Sequence, residues 1–162
     1  QAGRRLVACG RLAARLRGLP CPVDTVEVIA DGPPAGHVNA VALAGGGWAW
    51  TEGEVPVRWI ERTDHYLPLY SAAAEAAQRL PVSPVPVAPM PHVAAMLLAG
   101  RQAEDAALIV ALMVGAHLDP DAARATVRQW LGVYALDDLE ALVQEAEWRL
   151  MRQRYERGGD PH

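Results

Sequence analysis

The chain has 162 residues, of which 51% are hydrophobic, a net charge of −4 and only two cysteines. These values exclude a disordered chain and a disulfide framework, and they predict one folded domain or a small domain with an appendage. The mildly acidic balance argues against a nucleic-acid binder, which usually carries a basic surplus. Because no stretch resembles a signal peptide or a membrane span, we expect a protein of the cytoplasm or of an assembled particle, without a membrane partner.

The first segment is rich in arginine and predicts a helix over residues 2–17. Gly18 and Pro20 then end this helix. Its apolar positions recur at helical spacing, with the arginines on the other side: Leu6, Cys9, Ala13 and Leu16. We interpret the arginines as a solvated face. Contact with nucleic acid through them is the alternative, against which the acidic C-terminal half argues.

Residues 24–60 predict a small antiparallel sheet of three or four strands. In the first strand, residues 24–30, Val26 and Val28 share one face and Glu27 lies on the other. This alternation is typical of a strand with two different faces.

Glycine turns separate the later strands. Residues 38–43 are apolar on both faces, which is typical of a central strand. The three glycines at 45–47 turn the chain into a strand at 48–50. A further turn leads to the strand at 55–60, in which Pro56 predicts an edge position.

A helix and a proline-rich segment follow the sheet. The helix is predicted over residues 65–80, with Asp64 or Thr63 as its cap. Residues 81–91 then alternate proline with small apolar residues. Such a segment is extended and semi-rigid, so we predict a connector between two parts of the molecule.

Beyond the connector the pattern is helical throughout. It predicts three helices before the last one, over residues 93–99, 102–118 and 120–131. Asp119 followed by proline is typical of a helix start, and Gly132 marks the end of the third helix.

The last helix is predicted to begin at Asp137, with Glu140 completing a capping box. Its inner stripe consists of Leu139, Leu142, Val143, Ala146 and Leu150. A second apolar face carries Trp148, Met151 and Tyr155. A helix with two apolar faces docks on a neighbouring molecule, or its second face covers the edge of its own bundle; the sequence leaves both open.

Together these elements predict an α+β fold, in which an N-terminal helix and a small antiparallel sheet precede a C-terminal helical bundle. The predicted organisation is an α+β unit at 1–80, the connector at 81–91, a helical bundle packed on that unit at 92–157, and a tail at 158–162.

Two segments carry a resemblance to known enzymes. His37 opens a predicted strand, and after the glycine turn Trp48-Ala49-Trp50 leads to Glu52. With the preceding helix exit, residues 1–60 resemble the core of transglutaminase-like and papain-like cysteine hydrolases. The resemblance implies that His37 is the base and that Glu52, or Asp31, orients its imidazole.

The nucleophilic cysteine of these families is missing from its expected place. Counting back from Gly18 by the helix length usual in these families puts it near Ala2 or Gly3, neither of which can attack a substrate. Cys9 is predicted two turns into the helix on its apolar face, where a thiol stays protonated and inert. Cys21 lies between two prolines, without a helix N-terminus. The nucleophile lies outside this sequence, or it has been replaced, or the domain is a binding relic.

No cofactor and no metal site are predicted, since the five histidines share no metal-ligand spacing and no His-Glu-x-x-His motif occurs. Trp48, Trp50 and Trp59 alternate on neighbouring predicted strands. We favour core packing for them, with an aromatic platform for a sugar or a peptide as the alternative.

These observations predict a non-enzymatic protein-interaction or assembly protein, such as a component of a larger particle. Its partner is another protein or a second copy of the chain, and the predicted binding residues are Trp48, Trp50, Trp148 and Tyr155. The alternative is a hydrolase or acyl transferase of the Cys–His type, intact or degenerate, with Cys9, His37 and Glu52 as its catalytic groups.

Overall fold

The computed structural model describes residues 5–36 and 39–158. Over these ranges a five-stranded sheet is followed by a helical C-terminal part, which confirms the predicted mixture of α and β structure. The strands are β1 (Leu6–Ala8), β2 (Val26–Ala30), β3 (Val41–Ala42), β4 (Gly47–Glu52) and β5 (Val55–Ile60). The helices are α1 (Gly10–Leu16), α2 (Leu67–Glu75), α3 (Met90–Gly100), α4 (Ala103–Val114), α5 (Pro120–Leu131) and α6 (Val133–Gly158).

The sheet is mixed, with the strand order β1-β2-β5-β4-β3. The β4–β5 hairpin lies beside β2 with β5 inward, so that β5 runs parallel to β2. The other three strand pairs are antiparallel. The prediction of a purely antiparallel sheet is therefore wrong, because the long loop after β2 lets the hairpin return beside it in the same direction.

The predictions that the strand at 55–60 lies at an edge of the sheet and that the segment 38–43 lies at its centre are also wrong. β5 is the middle strand, and Pro56 fits there because the parallel ladder with β2 begins only at Val57. Pro56 faces Thr51 of β4 alone, so its missing N–H breaks no bond to β2. Among the described residues of the segment predicted as a central strand, only β3 is extended; it is an edge strand whose Val41 is 69% exposed.

Residues 2–4 of the helix predicted over 2–17 lie outside the described residues, and from Leu6 onward the structure has a strand and a shorter helix in its place. Leu6–Ala8 pair with β2 on one side, and Ala8 bridges Val87 on the other. Leu6, Cys9 and Ala13 are spaced as in a helix, but these two sets of backbone hydrogen bonds hold residues 6–8 extended. The helix starts only at Gly10, whose φ of 59° a residue with a side chain adopts reluctantly.

The end of the proline-rich segment is part of the core. Val87 and Ala88 are fully buried, and Ala88 N–H donates to the Ala8 carbonyl at 2.9 Å. Val87 also exchanges two backbone hydrogen bonds with Gln78, at 2.8 and 3.0 Å. Because this bridge needs an extended Gln78, α2 ends at Glu75 and not at the predicted residue 80.

The C-terminal helices follow the predicted order. Asp119 caps α5 by accepting a hydrogen bond from Ala122 N–H at 3.0 Å, as predicted. The predicted capping box at Asp137 is wrong, because α6 begins four residues earlier at Val133. Glu140 instead accepts from the Arg124 guanidinium of α5 at 2.6 Å, which ties α6 to α5.

One cluster of buried apolar side chains joins the sheet and the helices within the described ranges. Val7 and Ile60 enter it from the sheet, and Leu112, Val127 and Leu139 enter it from α4, α5 and α6. The sheet and the C-terminal helices therefore stabilise each other.

Candidate functional site

A cleft of about 850 Å³ opens at one end of the helix-covered face of the sheet. β2 and β5 form its floor, and α1, α2, α3 and α4 border it. Its polar side chains are Arg11, Asp24, Thr25, Glu27, Arg58, Arg62, Tyr66, Tyr70, Gln102, Glu104 and Asp105.

Cys9 lies at the back of this cleft, at the junction of β1 and α1. It directly precedes the first residue of α1, so its predicted place two turns inside a helix is wrong. The side chain is buried and makes no capping hydrogen bond. Burial raises the pKa of the Cys9 thiol far above its ordinary value, and the carboxylate of Glu27 raises it further. The thiol is therefore protonated at neutral pH.

Glu27 and Arg58 form an ion pair on the floor of the cleft. They are neighbours in register across β2 and β5, and Arg58 Nη1 donates to Glu27 Oε1 at 3.0 Å. Burial raises the pKa of Glu27, and the nearby Arg58 opposes that shift. Glu27 also packs directly against Gly10, where a Cβ atom would collide with its carboxylate. The Glu27 carboxylate therefore lies against the first residue of α1.

Arg62 forms a second polar cluster at the side of the cleft. It donates to Asp64 Oδ2 at 3.1 Å and to the Tyr70 hydroxyl at 3.4 Å. Its guanidinium also stacks on the rings of Tyr66 and Tyr70, at 5.4 and 4.8 Å from the centroids. Across the cleft, Arg11 of α1 pairs with Asp105 of α4 at 3.6 Å.

Among the described residues, the cleft is lined by paired charges and does not bring a cysteine and a histidine together. Each of the three arginines is paired with a carboxylate, so the positive charge is balanced locally. Among the described residues, no histidine lines the cleft, and no group of three or more histidine, cysteine or carboxylate side chains is placed to hold a metal ion. Cys9 is a buried, protonated thiol beside the Glu27 carboxylate, whose negative charge opposes formation of the thiolate that a nucleophilic cysteine uses.

The sheet keeps Cys9 and Glu52, two of the three predicted catalytic residues, apart. His37 lies outside the described residues. Glu52 is exposed at the end of β4, where its carboxylate accepts from Trp50 Nε1 at 3.3 Å. Cys9 follows β1, which is three strand positions from β4, so the two side chains are separated by about 14 Å or more.

The three sheet tryptophans lie on the opposite face from the cleft. Ile60 points into the core, so its neighbour Trp59 points away from it, and Trp48 is paired with Trp59 in register. All three are half-buried. Trp50 and Trp59 pack against each other at 5.9 Å, and Trp59 Nε1 donates to the Gly32 carbonyl at 2.8 Å. They form a cross-strand cluster outside the main core.

Besides the tryptophan cluster of the sheet, α6 carries an exposed apolar surface. Its inner side contacts α4 and α5 through Leu139, Val143 and Ala146. We use "outer face of α6" for its exposed residues Tyr134, Asp137, Asp138, Ala141, Gln144, Glu145, Trp148, Met151, Arg152 and Tyr155. Tyr134 is 87% exposed, Trp148 52%, Met151 61% and Tyr155 84%.

Sequence reasoning found part of these surfaces. It identified Trp148, Met151 and Tyr155, but it missed Tyr134 because it began the helix at Asp137. The signal was present, since Tyr134, Ala141, Trp148 and Tyr155 follow one another at intervals of seven residues. It also predicted which face of its strand carries Glu27, but it did not predict that helices cover this face of the sheet.

Comparisons with protein-family models and with curated protein sequences give no match to this chain. Within the described ranges, no helix has both the length and the apolar character needed to cross a membrane.

Proposed function

We propose that this chain is a protein-interaction or assembly protein whose docking surface is the outer face of α6. The observation that carries the proposal is the exposure of Tyr134, Trp148, Met151 and Tyr155 along one side of a helix whose other side is already packed. Large apolar side chains grouped on one exposed face mark interaction sites in soluble proteins.

The residue types on this face support binding to a protein. Tryptophan, tyrosine, methionine and arginine are enriched in protein–protein interfaces, and tryptophan and tyrosine supply most energetic hot spots. The Arg152 guanidinium lies 5.0 Å from the centroid of the Trp148 ring and holds it against the helix. A side chain oriented in this way loses little further freedom on binding.

The end of α6 extends beyond the rest of the molecule. Every residue from 151 to 158 is exposed, although all belong to the helix. Exposed helical ends fray in water, since most helical stability in proteins comes from tertiary packing. A partner that packs along this end would provide those contacts.

The cysteine-hydrolase alternative has weaker support. Cys9 lies at a strand–helix junction beside a cleft, as a nucleophile would, but its burial and its raised pKa keep the thiol protonated. Glu52 is on a distant strand. We therefore prefer the interaction protein.

Photo-crosslinking tests this proposal. A photoreactive phenylalanine derivative is placed at Trp148 or at Tyr155 of the full chain, and at exposed Val82 as the control, in cells of the source organism. We expect discrete protein adducts, including adducts to the chain itself, from the two α6 positions and none from Val82. An absence of adducts at both α6 positions, or equal labelling at all three, would contradict the proposal.

A further inference from the structure

We infer that the partner of the outer face of α6 is a second copy of this chain, bound antiparallel about a two-fold axis that passes between Gln144 and Glu145. This inference rests on the proposed function, since it names the occupant of the same surface. It is carried by the spacing of the apolar residues, by the distribution of charge along α6 and by the exposed end of the helix.

The apolar residues fit an antiparallel pair. Tyr134, Ala141, Trp148 and Tyr155 are seven residues apart and form one nearly straight seam. Across the stated axis, Tyr134 of one copy faces Tyr155 of the other. Ala141, the one small residue of the seam, faces Trp148, so the largest side chain meets the space that the smallest leaves.

The charges also favour this direction. On the outer face, the first half of α6 carries Asp137, Asp138 and Glu145 and no basic residue. The second half of this face carries Arg152 and no acidic residue. A parallel pair would place like charges together. The antiparallel pair sets Arg152 of one copy against Asp137 of the other, twice per dimer.

A second copy matches this surface better than an unrelated protein does, because α6 itself carries a small residue, Ala141, to face Trp148 and an acidic residue, Asp137, to face Arg152. A two-fold interface uses the same patch on both molecules, so large must face small and acid must face base within a single sequence. Trp148 against Ala141 and Arg152 against Asp137 meet these two conditions about one axis.

The length of the seam fits the exposed helical end. From Tyr134 to Tyr155 the seam spans about 32 Å. In the antiparallel pair, the exposed residues 151–158 of one copy lie along the first turns of α6 of the other. Each copy thereby covers the exposed helical end of the other copy.

Sedimentation equilibrium of the full chain tests the stoichiometry. We expect a dimer at micromolar concentration, and we expect Trp148→Ala to weaken dimerisation by about tenfold or more, since central aromatic residues dominate such interfaces. Val82→Ala, at an exposed site on the connector, is the control and should leave the dimer unchanged. A dimer that persists in the double variant Trp148→Ala/Tyr155→Ala would use another surface and would overturn the inference.

A charge reversal tests the direction. Asp137→Arg alone and Arg152→Asp alone should each weaken the dimer, because each sets like charges together. Arg152→Asp also removes the ion pair with Glu156 and the stacking on Trp148 within its own chain, so the double reversal should bind more tightly than the sum of the two single losses predicts without recovering the whole loss. If the double variant is as weak as the sum of the single ones, the antiparallel register is wrong.

Failure of this inference is distinguishable from failure of the proposed function. A monomeric chain that still gives crosslinks from Trp148 and Tyr155 to a different protein overturns the second copy and keeps the docking surface. A monomeric chain without such crosslinks overturns both.

Discussion

Replacing Gly47 with alanine should cost about 3–5 kcal/mol of the free energy of unfolding, which is a large part of the stability of a domain of this size. Gly47 has a φ of 107°, and a Cβ atom built on it would collide with the carbonyl oxygen of Trp59 on the paired strand. Neither backbone can move away without breaking the ladder between β4 and β5. Urea unfolding followed by tryptophan fluorescence measures the loss.

Gly53 provides the matched control for this substitution. It lies in the turn between β4 and β5 with a φ of 63°, but no atom lies within 4 Å of a Cβ built there. Gly53→Ala should therefore cost only about 1 kcal/mol, for the left-handed backbone alone. Equal losses in the two variants would show that the collision at Gly47 is not what makes glycine necessary.

The Cys9 thiol should react with iodoacetamide about a hundredfold or more slowly in the folded protein than in the urea-unfolded chain, since a core side chain reacts only after an opening that costs about 3 kcal/mol or more. The variant Cys21→Ser leaves Cys9 as the only thiol. In the unfolded chain the rate should rise as the pH passes about 8.5, where a free thiol ionises. In the folded protein the buried thiol itself does not ionise in this range because its pKa is raised, so the reaction proceeds through the opened chain. Its rate should show the same rise with pH but stay about a hundredfold or more lower at every pH.

This measurement separates the two functions considered for the chain. Rapid alkylation of folded Cys21→Ser protein at pH 7 would require a thiolate, which is the form that a Cys–His hydrolase uses. A reaction that stays about a hundredfold or more below that of the unfolded chain at every pH is what a structural core cysteine gives. Cys9→Ala in the Cys21→Ser background is the control and should take up no label.

Local chemistry made several elements predictable from the sequence. The cap at Asp119 and the end at Gly132 place α5 correctly because both signals come from residues directly beside that helix. The inner stripe of α6 was predicted for the same reason, since its apolar side chains recur with the period of a single helix. These signals do not depend on what the rest of the chain does.

The errors arose where distant segments decide the structure. The segment that begins at Leu6 has the apolar spacing of a helix, but pairing with β2 and with Val87 makes Leu6–Ala8 a strand. The position of β5 in the middle of the sheet depends on β2, which is about thirty residues away along the chain, and no local rule for Pro56 reveals it. Long-range pairing of this kind has no short sequence signature.

The surfaces divide in the same way. The second apolar face of α6 was predicted because it repeats within one helix. The polar cleft was missed, since it combines Glu27, Arg58, Arg62 and Asp105 from segments that only the tertiary fold assembles. The position of Cys9 at the start of α1 was missed because the strand before it was read as helix.

Hydrogen–deuterium exchange at residues 151–158 of the full chain is the most direct test of the α6 surface. If a second copy covers this helical end, its amides should exchange slowly at micromolar concentration and should become fast on dilution or in the Trp148→Ala variant. Exchange as fast as that of an unstructured peptide at every concentration would contradict the pairing of α6.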